Sequence, residues 1–150
     1  MTLIRLPDLA ATEQLGKRIA EALRPGDVVA LTGGLGAGKT TLARAIIGAL
    51  GYAGEVPSPS FAIIEVYDPP RIRLRVVHAD FYRLEDPEEV EELGLDDYRA
   101  DAALIAEWPE HAGGFTKELA CLSVEIEILD NERVAIVEPG PDWLERGGWT

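Results

Sequence analysis

The stretch GGLGAGKTT, residues 33–41, fills every required position of the pattern G-x-x-x-x-G-K-[ST] with Gly33, Gly38, Lys39 and Thr40. Its chemistry is that of a phosphate cradle. Backbone N–H groups must turn inward around phosphate oxygens, which needs dihedrals and close approaches that a Cβ obstructs; Gly34 and Gly36 add to that freedom. Lys39 supplies a point charge between the outer phosphates, and Thr40 offers its hydroxyl to Mg²⁺. A helix starting here points its positive end at the anion.

The flanks are in the order such a loop demands. Upstream, DVVALTG is a short β-branched apolar run that predicts a buried parallel strand; downstream, TTLARAIIGAL has helical spacing and stops at Gly51. At 150 residues the chain predicts one domain, with room for a core but little for a separate substrate domain. No apolar run approaches the ~20 residues of a membrane span, and MTLIRLPDLAA lacks the basic region and apolar core of a secretory signal. The single cysteine, Cys121, excludes an internal disulfide framework, fits a reducing cytoplasm, and among apolar neighbours predicts a buried packing residue. A net charge of −13 with scattered arginines predicts no basic stripe for nucleic acid, so any RNA in the biology is expected on another subunit.

Along the rest of the chain, Leu15, Ile19 and Leu23 mark an amphipathic helix over 8–24, ended by Pro25-Gly26. EVPSPSF predicts an exposed loop, and AIIEVY and IRLRVVHAD predict strands around the turn DPPR. EDPEEVEELG predicts a short helix with Asp86 as N-cap, Pro87 in first position and Gly94 at its end, its acids forming a solvated face. AALIAEW predicts another buried strand. LSVEIEIL alternates, with Leu122, Val124, Ile126 and Ile128 on one side, and predicts a hairpin with RVAIV across Asp130-Asn131. The expected fold is α/β, a three-layer sandwich of the phosphate-loop NTPase type with a mixed, mainly parallel sheet and a C-terminal antiparallel hairpin. Residues 1–150 are expected to form a single phosphate-loop domain, with 139–150 a loosely held tail.

Two acids stand where such a site needs them. Asp80 follows RVVHA and Glu107 follows ALIA, each at the carboxyl end of an apolar run, where ligands gather in open α/β sheets. Spacing alone leaves open which anchors a metal and which orients an attacking water. SPSF reads either as a nucleotide-responsive loop or as a Pro-fixed turn. His78, two residues before Asp80, reads as a core histidine or as an orienter of that acid; His111 reads as part of a surface loop, and Trp108 is expected near the site.

Taken in order, GGLGAGKTT, VPSPSF, HADFYRL, ELG and AEWPE resemble the bacterial TsaE family, the ATPase subunit of tRNA threonylcarbamoyladenosine biosynthesis. The similarity runs from Thr12, in a Thr-x-x-Leu-Gly shared with Leu15 and Gly16, to Pro109, and fades beyond. It implies that Gly33, Gly34, Leu35, Gly36, Ala37, Gly38, Lys39, Thr40 and Thr41 hold ATP, with Lys39 also catalytic. Thr40 and Glu107 are the implied Mg²⁺ ligands, and Asp80 the acid for hydrolysis. Ser58 to Phe61 are the implied switch-like loop, with Thr12, Ser58, Trp108 and Arg133 as further nucleotide contacts. The implied partners are TsaD and TsaB, which hold substrate and tRNA, so that tRNA is met only through them. Gly34 departs from the family's common acidic residue, and Ser60 from its commoner threonine.

The alternative is a small-molecule phosphate-loop kinase, but its only candidate lid, residues 85–98, is strongly acidic where arginines are needed. A GTPase would need an Asn/Thr-Lys-x-Asp segment, which the chain lacks. A nucleotide sensor that binds without turnover stays open at this level.

Overall fold

The computed structural model describes residues 1–57 and 64–149. Its strands are β1 (Thr2–Leu6), β2 (Val28–Thr32), β3 (Ile64–Tyr67), β4 (Val76–Asp80), β5 (Ala103–Glu107), β6 (Cys121–Leu129) and β7 (Glu132–Pro139). They form one sheet in the order β1-β7-β6-β2-β5-β4-β3. The four central strands β6, β2, β5 and β4 are parallel, while β1, β7 and β3 run antiparallel to their neighbours. The mixed sheet and its C-terminal hairpin are thus as expected. Asp130 and Asn131 turn the hairpin with φ of 51° and 63°, a left-handed pair suited to a two-residue connection.

On one face lie α1 (Leu9–Ala22) and α2 (Lys39–Ala49). Asp8 caps α1 by accepting the N–H of Ala11 at 2.9 Å. Leu15 and Ile19 of α1 pack with Leu42 and Ile46 of α2 over Leu31 and Ile105 of the sheet. Gly16 is the point of closest approach: a Cβ there would stand 2.6 Å from the Cβ of Ala45. The other face is covered more thinly, by the short helices α3 (Glu89–Leu93) and α4 (Leu95–Arg99) and their loops, over Val77, Phe81, Leu104 and Phe115.

Four local readings change. The first residues, read only for a signal, form edge strand β1. RIRLR does not extend β4; it approaches it as an irregular segment with Ile72 and Leu74 buried. Asp86 caps a turn, accepting from the N–H of Glu88, and the helix begins at Glu89. Ile128 is exposed because the hairpin has by then run past the helices beneath it, whereas Leu122, Val124 and Ile126 are buried.

The expected loose tail is instead packed. After β7 the chain forms α5 (Pro141–Glu145), whose Trp143 is fully buried, donates its indole N–H to the carbonyl of Ala120 at 2.8 Å and meets Trp149 edge-on at 5.4 Å. Arg146 then forks onto Asp27, NH1 to Oδ2 at 2.6 Å and NH2 to Oδ1 at 2.8 Å. Only 8% of the Arg146 side chain and 1% of that of Asp27 are exposed. Two aromatic side chains and a buried ion pair outweigh the glycines and prolines that made the segment read as loose. Arg146→Ala strands the Asp27 carboxylate and is expected to cost about 3–5 kcal/mol of stability in denaturant unfolding; a loss under about 1 kcal/mol would mean the pair is solvated.

Candidate functional site

The glycine loop joins the carboxyl end of β2 to the first turn of α2, at the centre of the sheet. Gly33, with φ of 137°, passes so close to β6 that a Cβ would lie 2.4 Å from the carbonyl oxygen of Ile126. Its place in the motif therefore has a packing reason as well as a dihedral one. Gly38, left-handed with φ of 114°, precedes α2, and Lys39 is the first helical residue.

Lys39 folds back over the loop. Its Nζ donates to the carbonyls of Gly33 and Gly34, both at 2.7 Å, and lies 4.4 Å from the centre of the Trp108 ring. Burial lowers its pKa from the ordinary lysine value, with Glu107, Glu110 and Asp80 opposing that shift.

Glu107 is the hub. Parallel pairing sets it beside Asp80 of β4 on one side and Leu31 of β2 on the other. Its Oε1 accepts the Thr40 hydroxyl at 2.6 Å, and its Oε2 accepts His78 Nε2–H at 2.7 Å. His78, wholly buried, therefore orients Glu107 and not Asp80. His78 Nδ1, also buried, has no hydrogen bond among the described residues. Asp80 accepts the backbone N–H of Tyr82 at 2.9 Å.

An aromatic wall closes the acidic side. Trp108, held at φ of 55°, lies 5.0 Å from Tyr82 and 5.3 Å from His111, ring centre to ring centre. His111, read as a plain surface-loop residue, belongs to this wall. Its Nδ1–H donates to the carbonyls of Tyr82 at 2.9 Å and Phe81 at 3.2 Å. The signal that could have found it is the run Trp-Pro-Glu-His, in which a tight turn at Pro109–Ala112 returns residue 111 to the strand end.

Of the hollows beside the loop, two adjoin Arg133. One, about 250 Å³, is lined by Leu35, Gly36, Gly38, Lys39, Thr40 and Thr41 with Asp80, Glu107, Trp108 and Arg133. The other, about 280 Å³, lies between Pro7, Asp8 and Thr12 on one side and Asn131 and Arg133 on the other, with Ala37, Gly38 and Thr41 as its floor. Arg133 separates them, donating from Nε to the carbonyl of Ala37 at 2.8 Å and from NH2 to that of Gly36 at 3.2 Å. The donor set in the first hollow, a hydroxyl and carboxylates, is the all-oxygen kind that suits a hard divalent cation. No group of three or more His, Cys, Asp or Glu is gathered to hold a metal among the described residues, so such an ion would complete its shell with water and ligand oxygens.

Residues 6–135 match the family model described as threonylcarbamoyl adenosine biosynthesis protein TsaE. The chain belongs to the TsaE family. It is 37% identical over 134 residues to the tRNA threonylcarbamoyladenosine biosynthesis protein TsaE of Haemophilus influenzae, covering 85% of this chain and 83% of that one. With the Streptomyces coelicolor protein of the same name it shares 45% identity over 98 residues, 65% of this chain and 66% of the relative. A solved structure, described as that of Bacillus subtilus YdiB, superposes with a TM-score of 0.75 at 28% identity, covering 96% of this chain and 89% of the other.

The TsaE match reaches past both ends of the motif-bearing stretch, taking in the chain from Leu6, the last residue of β1, and most of the hairpin. The second hollow is built from those additions, which explains why residues 12 to 109 alone did not reveal it. Of the expected contacts, Thr12 and Arg133 come together there, while Lys39, Thr40, Asp80, Glu107 and Trp108 surround the first hollow. Ser58 and the loop to Phe61 lie outside the described residues.

Proposed function

We propose that this TsaE-family chain binds and hydrolyses ATP with Mg²⁺, in the service of a TsaB–TsaD enzyme that places the threonylcarbamoyl group on adenosine beside the tRNA anticodon. The observation that carries this reading is the Thr40–Glu107 contact in the hollow that Lys39 also lines, at the start of a helix. First-turn amides of α2 have no intrahelical acceptor and so suit phosphate oxygens. Lys39 is the cation for the outer phosphates, released from the Gly33 and Gly34 carbonyls when a stronger acceptor arrives. Thr40 and Glu107 would hold Mg²⁺, with His78 fixing the second carboxylate oxygen. When bound there, Mg²⁺ would supply neutralisation of the charge on the outer phosphates. Asp80, paired with Glu107 across the β4–β5 ladder, would orient the attacking water and take its proton. The second hollow, with Thr12 and Arg133, is the proposed seat of the base and sugar.

Turnover is expected to be slow in isolation. Arg133 is the arginine that lines the first hollow, and two of its donors are committed to loop carbonyls. In related chemistry a supplied arginine raises turnover by ~10³ to 10⁵, so clear stimulation by the TsaB–TsaD pair is expected. ATPase measurements with and without the pair test this, beside filter binding of tRNA at low salt. Turnover indifferent to the pair, or tight tRNA capture by the lone chain, would overturn the partner assignment; phosphoryl transfer to a small acceptor would establish the kinase instead.

A further inference from the structure

Four of the eleven arginines in this −13 chain line one hollow of about 450 Å³: Arg18, Arg24, Arg73 and Arg146. The hollow lies at the opposite end of β2 from the glycine loop, about 17 Å away along a five-residue strand. Sequence distance hid it, since these residues come from α1, the turn after it, the approach to β4 and the tail. Two carboxylates balance part of the charge: Asp27, committed to Arg146, and Glu21 on the rim. The guanidiniums retain many donors. Arg18 gives one to the carbonyl of Gly148 and rests 4.9 Å from the centre of the Trp149 ring. Arg73 gives NH2 to the carbonyls of Ala20 and Leu23. The exposed Arg24 side chain makes no hydrogen bond among the described residues, and the buried Nε of Arg146 has no acceptor there either.

We propose that this hollow is a second phosphate-binding site, separate from the glycine loop, that takes either a small free phosphate or a phosphate of an RNA backbone. Helix capping explains Arg73 and part of Arg146, but it leaves Arg24 and the outer face of Arg18 without a structural task. Guanidinium forks match phosphate oxygens in pairs. The surrounding negative charge keeps the site weak toward a polyanion when the chain is alone and confines contact to this hollow. The inference stands apart from the ATPase reading and survives its failure.

The test uses the full chain carrying Lys39→Ala, so that phosphate at the glycine loop does not confuse the result. Pyrophosphate and a short oligouridylate are titrated at low salt while the Trp149 indole and Arg146 Nε signals are followed by NMR. Saturable shifts are expected, weakened at least about tenfold by Arg18→Glu with Arg24→Glu, and falling with salt by a logarithmic slope of about 0.7 per RNA phosphate engaged. Tighter binding of oligouridylate per phosphate assigns the site to RNA; tighter binding of pyrophosphate assigns it to a small phosphate. Arg24→Glu alone, altering a side chain without partners, repeats the comparison should the double variant unfold. Absence of shifts, shifts unchanged in the variants, or equal binding of an oligoglutamate that carries no phosphate would overturn the proposal.

Discussion

Lys39→Ala is expected to leave no ATP binding detectable by calorimetry. The ammonium is the only lysine charge in the loop, and nearly all of it is withdrawn from water, where each charge-assisted bond is worth about 1.5–3 kcal/mol. Two such bonds to phosphate correspond to at least about a hundredfold in affinity. Loss of Nζ also releases the carbonyls of Gly33 and Gly34, so the loop loses the clasp that shapes it before a ligand arrives. A thermal melt separates the two effects: the fold should persist, because the core beneath α2 rests on Leu42, Ile46 and Ile47. Near wild-type affinity in a folded variant would remove the loop from the site.

The second large effect divides the two acids. Glu107→Ala is expected to flatten the Mg²⁺ dependence of nucleotide binding, since it removes the acceptor shared by Thr40 and His78. Asp80→Ala should bind Mg-ATP almost normally and lose at least about a hundredfold in turnover, the scale of a missing general base. His78→Asn should follow Glu107→Ala in kind but more mildly, raising the Mg²⁺ requirement while leaving the fold and nucleotide contacts in place. Magnesium titrations with the two acid variants in the opposite order would exchange their roles.

What could be read from the sequence was what lies close together in it. The loop and its flanking strand and helix occupy adjacent residues, so their order alone made the strand–loop–helix unit legible. Strand-end acids were visible because an apolar run announces where a buried strand stops. His78 and Glu107 are 29 residues apart and meet only because β4 and β5 pair in parallel, which a reading of spacing along one strand turned into a link with Asp80. The tail failed for another reason. Its glycines and prolines signal irregular backbone, and irregular backbone is not loose when Trp143 and Arg146 find buried partners. The hollow of four arginines shows the same limit in charge: a scattered pattern along the chain became a patch through folding alone.

The pairing of β1 with β7 has a consequence for the order in which this molecule takes shape. Arg5 lies opposite Val134 in that ladder and reaches diagonally to Glu132, 127 residues away, and contacts so remote in sequence form late because a long loop must close first. A nascent chain that has emerged only as far as β5 already carries Lys39, Thr40, Asp80 and Glu107, yet it lacks the wall of the second hollow that Asn131 and Arg133 provide. The second hollow is therefore complete only once the β6–β7 hairpin has formed and β1, more than a hundred residues earlier, has paired with β7.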